Sequence, residues 1–241
     1  MIALLRTEWR KLGGSLALLF ALLAPALPGL LAALAMATNR RASSWASIVG
    51  QFALPLWTLF LLPMCLAAFT TLVAQIEYRG RGWDHLLALP IARWRIFAAK
   101  ALAVLAAAAV MTLLMLAFAI AGAALGGAIS GRMPVGALPW SAWGLQLGQV
   151  LAAGLLMAVL QLWAALRFGN FVVPLAVGIG GTLVALAVAI TRTHQADWFP
   201  WVLPFRVTVT ADPLPAVLIG AGGGVIVLVA MIIDLSRRGF R

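Results

Sequence analysis

The chain has 241 residues, 64% of them hydrophobic and 10% charged, with a mean hydropathy of +1.08 and a net charge of +11. A water-soluble domain of this size cannot hide so apolar a composition, so the chain reads as an integral membrane protein. Its basic residues are scattered among short connections with no soluble basic domain to carry them, which excludes a nucleic-acid-binding module.

The chain opens on Ile2, Leu5, Trp9, Leu12 and Leu16, which recur at steps of three and four, with Arg6, Arg10 and Lys11 on the other faces. This spacing predicts an amphipathic helix over residues 1–12 lying on the inner leaflet, where Leu5, Trp9, Arg10 and Lys11 would meet the interface. Windows without a charged residue follow at 12–39, 42–76, 101–131, 133–166, 168–191 and 213–233. Each can supply the ~20 apolar residues of a transmembrane helix. One all-α polytopic membrane domain over 1–241 is expected, with six spans near 15–37, 52–76, 97–125, 144–166, 171–191 and 215–234. Continuous apolar runs, without short in-out alternation, exclude a membrane β-barrel. The first window is long and no A-x-A-like cleavage site and polar mature domain follow it, so it is read as a span and not as a removable signal.

Proline interrupts several spans: Pro25 and Pro28 in the first, Pro55 and Pro63 in the second, Pro174 early in the fifth. Each removes a ladder bond, and kinks are expected there. The pairs Gly144 with Gly148 and Gly220 with Gly224 have the spacing of close helix contacts, within one chain or between two. An even number of spans puts both termini on one side. Twelve basic residues, among them Arg6, Lys11, Arg79, Arg93, Lys100, Arg167 and Arg237, fall on that side, against five on the other. The positive-inside rule then assigns both termini to the cytoplasm. Cys65 is the lone cysteine and can form no intrachain disulfide.

The connection between the second and third spans, EYRGRGWDHLLALPIARWRIFAAK, runs from Glu77 to Lys100. Arginines alone describe a solvated loop. Trp83, Leu86, Leu87 and Leu89 do not, because apolar side chains in a polar loop need lipid headgroups or a protein groove. Asp84 can cap a short helix over those leucines, which Pro90 ends. On the other side, 191–212 carries Trp198, Phe199, Trp201 and Phe205, with Pro200 and Pro204 preventing a simple helix. That composition suits a headgroup-level or partly re-entrant segment, and makes Trp198, Trp201 and Phe205 a candidate outer gate.

Catalytic chemistry finds little support. No charge lies deep in a span, the two histidines, His85 and His194, fall on opposite sides, and Ala128-Ile129-Ser130-Gly131 lacks the first glycine of a serine-protease motif. Neither Lys11 nor Lys100 follows a glycine, so no phosphate-binding loop exists. Thr58, Thr70, Thr71, Gln75, Gln146, Gln149 and Gln161 are read as helix-bonding groups rather than a pathway.

Four segments in order, LLRTEWRKL, HLLALPIARWRIFAAK, LQLWAALRFGNFVVPLAVGIGG and WFPWVLPFR, resemble permease subunits of type-2 ATP-binding-cassette exporters, particularly the branch holding lantibiotic-immunity and bacitracin-resistance permeases. The resemblance implies a bacterial cytoplasmic (inner) membrane protein, working as two permease copies or homologues with two cytoplasmic ATPases. ATP and Mg would sit on those partners, and no cofactor or metal on this chain. It implies a coupling helix over Asp84 to Leu89 that docks on the ATPase, with Glu77, Trp83, Asp84, Leu86, Leu87, Leu89, Pro90 and Arg93 as the coupling set. Glu77 matches the family's acidic residue at the end of span two and is expected to pair with a local arginine. The favoured substrate is an amphipathic, lantibiotic-type peptide. Export of a lipid or other hydrophobic compound, a non-transporting membrane assembly subunit and a membrane enzyme are the alternatives.

Overall fold

A computed structural model describes residues 2–38, 43–79, 82–83, 86, 90–191 and 195–238. The first helix, α1 (Ile2–Leu12), is followed by α2 (Leu16–Leu23) and α3 (Ala26–Thr38), which together form the first span-length element. Ser15 accepts a bond from the Leu18 amide and starts α2. The break at Ala24 and Pro25 separates α2 from α3, as a proline without a donor requires.

Helix α4 (Ala46–Tyr78) carries both prolines of the second span. It continues through both prolines by widening into π-helical turns over Ala46–Ala53 and Trp57–Leu61. A wider turn absorbs the missing amide donor without ending the helix. The remaining elements are α5 (Arg93–Ser130), α6 (Trp140–Arg167), α7 (Val172–Thr191), the short α8 (Leu203–Val209) and α9 (Leu214–Arg237). Gly131, at φ 68°, closes α5 in the left-handed conformation that glycine adopts without a Cβ penalty. Pro174 falls in the first turn of α7, where no amide donor is needed, so it leaves that helix intact.

The chain is all-helical among the described residues, apart from one isolated bridge between Ser44 and Val135. Among the described residues six helical elements are long and apolar enough to cross a membrane. Large apolar side chains such as Leu16, Leu30, Leu113, Ile190 and Ile226 point outward, as hydrocarbon surroundings permit. At 38 residues, α5 is roughly 57 Å long, longer than the ~40–45 Å of a bilayer with its headgroups.

Small residues decide the closest contacts. A Cβ on Gly122 would strike the Gly29 carbonyl and one on Gly126 the Ala33 carbonyl, so α3 and α5 touch backbone to backbone. Gly220 sits equally close to Ala153, and a Cβ on Gly224 would stand 2.5 Å from Leu155, which joins α9 to α6 within the chain. Gly144 and Gly148 face open space. The glycine spacing alone left both pairs open; burial separates them.

Candidate functional site

Both glutamates and both lysines of the chain converge at one end of the bundle, on the face that also carries the chain termini. Lys100 lies seven residues into α5 with its side chain fully buried, and its Nζ donates to Glu8 Oε2 of α1 at 2.9 Å and to Glu77 Oε1 of α4 at 2.8 Å. Lys11 donates to the same Glu77 oxygen at 2.7 Å and stands 3.6 Å from Glu8 Oε1. Two carboxylates and two ammoniums alternate, so the cluster is neutral. A buried cation of this kind persists only when paired and hydrogen-bonded.

Aromatic rings cover the cluster. Trp83 is 5% exposed, with Lys100 Nζ 5.8 Å from its ring centroid, Tyr78 edge-on at 5.8 Å and Phe97 tilted at 5.9 Å. This geometry suits cation–π and aromatic packing. Gly82 makes the approach possible, because a Cβ there would stand 2.5 Å from Glu77 Oε2.

One expectation from the sequence is extended here and another changes. Among the described residues Glu77 pairs with Lys11 and Lys100, while the side chains of Arg79 and Arg81, the local arginines expected to pair with it, lie outside the described residues. The ammonium of Lys100 concentrates its charge at one point and serves both carboxylates in a tight space. Trp83 and Leu86 are sheltered by the chain itself, Trp83 by Tyr78 and Phe97 and Leu86 in the apolar core, so neither relies on lipid or a partner for cover. Asp84, Leu87 and Leu89 lie outside the described residues, while Pro90 and Arg93 are exposed. On α1, Leu5 is half-buried and Trp9 and Arg10 are exposed; the contact to the bundle is made by Glu8 and Lys11.

A second set of bonds ties the same face together. Asp234 of α9 accepts from Arg167 at 2.6 and 2.8 Å and from Trp163 Nε1 at 2.9 Å, both on α6. Tyr78 donates to the Leu166 carbonyl at 2.7 Å, and Arg238 to the Arg167 carbonyl at 2.6 Å. Thus α1, α4, α5, α6 and α9 are linked by polar bonds at one end.

At the opposite end, 198–209 folds back into the bundle. Gly181 lies at the centre of α7, yet a Cβ there would stand 2.5 Å from the Trp201 ring. Gly154, at the centre of α6, is the neighbour of Pro204. The segment therefore reaches about mid-depth. The two prolines do not prevent a helix: α8 begins at Leu203, with Pro204 in its first turn, where proline lacks nothing. Trp201 is buried and stacked on Phe199 at 5.5 Å, Phe205 is half-buried, and Trp198 is exposed. Arg206 anchors the segment to Asp197 at 2.8 Å. Trp201 Nε1 is buried without a hydrogen-bond partner among the described residues.

The polar span residues mostly serve their own helices. Thr58, Thr70 and Thr71 each donate to the carbonyl four residues back, while Gln161 reaches across to the Pro174 carbonyl at 2.7 Å. Among the described residues no three His, Cys, Asp or Glu side chains gather as a metal-binding group.

Sequence reasoning named Glu77 and Lys11 but passed over Glu8 and Lys100. The signal was available: against fifteen arginines and four aspartates, the chain has two lysines and two glutamates. All four occupy this cluster. A family model described as ABC-2 family transporter protein matches residues 4–208, ending within α8. Comparisons with curated proteins and with solved structures return no match.

Proposed function

This chain belongs to the ABC-2 family of transporter proteins, and on that premise we propose that its terminal face is the coupling device of an exporter. As a permease subunit of an ABC transporter it works with an ATP-binding subunit, on which ATP is hydrolysed. In the reading we propose, the connection between α4 and α5 docks on that subunit. Closure of the ATPases then moves α4, α5 and α1 together. The observation that carries this reading is the buried Glu8–Lys100–Glu77–Lys11 cluster, which joins three helices just where the connection leaves the bundle.

A neutral, fully paired cluster transmits displacement because separating its members in a low-dielectric interior is costly. The length of α5 supports the same reading: its first eight residues carry Arg93, Arg95 and Lys100, so the excess projects on the terminal face. Asp84, Leu86, Leu87 and Leu89 are assigned to the docking segment, with Pro90 and Arg93 on its exposed side. Twelve basic residues against five orient this face to the cytoplasm. The exposed Trp9 and Arg10 of α1 then meet the headgroups.

The re-entrant segment is assigned to the outer gate. Trp201 is held against Gly181 by packing, and its indole donor has no partner among the described residues, a cost of about 1–3 kcal/mol that release of the ring to a polar partner removes. The cargo is an amphipathic or hydrophobic compound, for which the four family-like segments favour a lantibiotic-type peptide. Two permeases and two ATPases form the working assembly.

The test is ATP-driven export from vesicles containing the permease and its ATP-binding partner. Glu8→Leu with Lys100→Met removes the α1–α5 bond while leaving Glu77 paired with Lys11. This variant is expected to fold and hold its partner but export about tenfold more slowly. Export at the parental rate contradicts the coupling role.

A further inference from the structure

A cavity of about 280 Å³ lies between α4, α5 and α6, apart from both the ionic cluster and the re-entrant segment's aromatic contacts. Its floor is Leu62, Leu66, Ala108, Gly154 and Ala158, all buried; its rim is Leu105, Leu151 and Leu155, all half-exposed. No polar or charged side chain lines it. Leu62 is the midpoint of α4 and Gly154 that of α6, roughly 20 Å from either end of α6 at 1.5 Å per residue. The opening is therefore lateral and at the depth of acyl chains, within a hydrocarbon core of ~30 Å.

Water has no partner in such a site, since a buried water needs two to four polar groups. The occupant is hydrocarbon. An apolar cavity of about 150 Å³ admits one benzene-sized molecule, so this one has room for an extended hydrocarbon segment. We propose that the cavity is a binding site for one unbranched acyl chain of a membrane amphiphile, entering sideways between α4, α5 and α6 with its polar head left at the interface. Its use as a substrate site rests on the transport reading; the site itself does not.

Within a bilayer the chain gains packing contacts rather than relief from water, because lipid tails are as apolar as leucine. Binding is accordingly weak and readily reversed, as passage requires. The site also adjoins the re-entrant helix, because Gly154 forms its floor and a Cβ on Gly154 would stand 3.5 Å from Pro204. A chain pressing on α6 here presses next to α8.

The test uses the permease with its ATP-binding partner in nanodiscs containing a single-chain amphiphile with a photoreactive group at mid-chain. The expected label falls on α4 near Leu62–Leu66 and on α6 at 150–158, and excess unlabelled amphiphile suppresses it. Two independent variants that fill the cavity, Ala108→Leu and Ala158→Leu, lower that label by about tenfold, a difference of about 1.4 kcal/mol. Val184→Leu on an exposed surface leaves it unchanged. Label spread evenly over exposed helix faces, or unaffected by both filling variants, overturns the proposal. So does cross-linking of Leu151→Cys between two permeases, which would mean that a second copy covers the mouth. Co-purification of the ATP-binding subunit is read in the same samples: its loss speaks against the transporter reading, whereas its retention without cavity labelling speaks against the acyl site alone.

Discussion

Lys100 is the residue on which the terminal face depends. Among the described residues its ammonium alone is bonded to both Glu8 and Glu77 within 3 Å, and it is fully buried. Lys100→Met leaves two carboxylates facing Lys11 alone, and removing one partner of a buried pair costs about 3–5 kcal/mol. Adding Glu8→Leu restores one-to-one pairing between Glu77 and Lys11. Thermal unfolding in detergent is expected to show a large loss for the single variant and recovery of most of it in the double. Equal melting of the single variant and the parent contradicts the pairing. Glu77 was legible in the sequence because it interrupts a long apolar run. Its partners were not, since they lie 66 and 23 residues away, and local spacing pointed to an arginine. The rarity of lysine and glutamate was the usable clue.

Among the elements, the re-entrant segment makes the sharpest claim. Gly180 and Gly181 are adjacent on α7, yet a Cβ on Gly180 meets nothing within 4 Å, while one on Gly181 runs into Trp201 at 2.5 Å. Gly181→Ala is therefore expected to displace Trp201, and Gly180→Ala to leave it in place. With Cys65 replaced by alanine and a cysteine at Val202, a membrane-impermeant thiol reagent reports the difference. Labelling should rise severalfold with Gly181→Ala only; equal labelling in both variants removes Trp201 from the gate. The aromatic content of this segment was readable in the sequence, including a re-entrant option. Its depth was not, because it is set by glycines on α6 and α7 that carry no periodic signal. Helix α3 offers a parallel case. Gly122→Ala would drive a methyl into the Gly29 carbonyl of the facing helix. A loss of at least about 1–3 kcal/mol is expected, the usual cost of overpacking, measurable by thermal unfolding; an unchanged melting temperature contradicts the backbone contact.

At the scale of the molecule, the six span-length helices were readable because each is a long apolar run between charged connections, a signal that needs no tertiary information. Helix α4 shows the limit of such reading. Its prolines were legible, but the π-helical turns beside them were not, and Trp57 bonds Thr112 of α5 at 3.2 Å from within one of those turns. Where a helix widens beside a proline depends on neighbours that the local sequence does not name. The same holds for function. Family membership makes the chain a transporter's membrane component, and the arrangement of charges around α1, α4 and α5 supports the connection between α4 and α5 as the point where the ATP-binding subunit acts. That claim is tested most directly by proximity. In a Cys65→Ala background, a cysteine replacing exposed Pro90 is expected to cross-link to the co-expressed ATP-binding subunit, with a yield that changes on adding ATP. A cysteine replacing Met133, exposed at the opposite face, is expected not to. Cross-linking from Met133, or none from Pro90 in a complex that still co-purifies, contradicts the account.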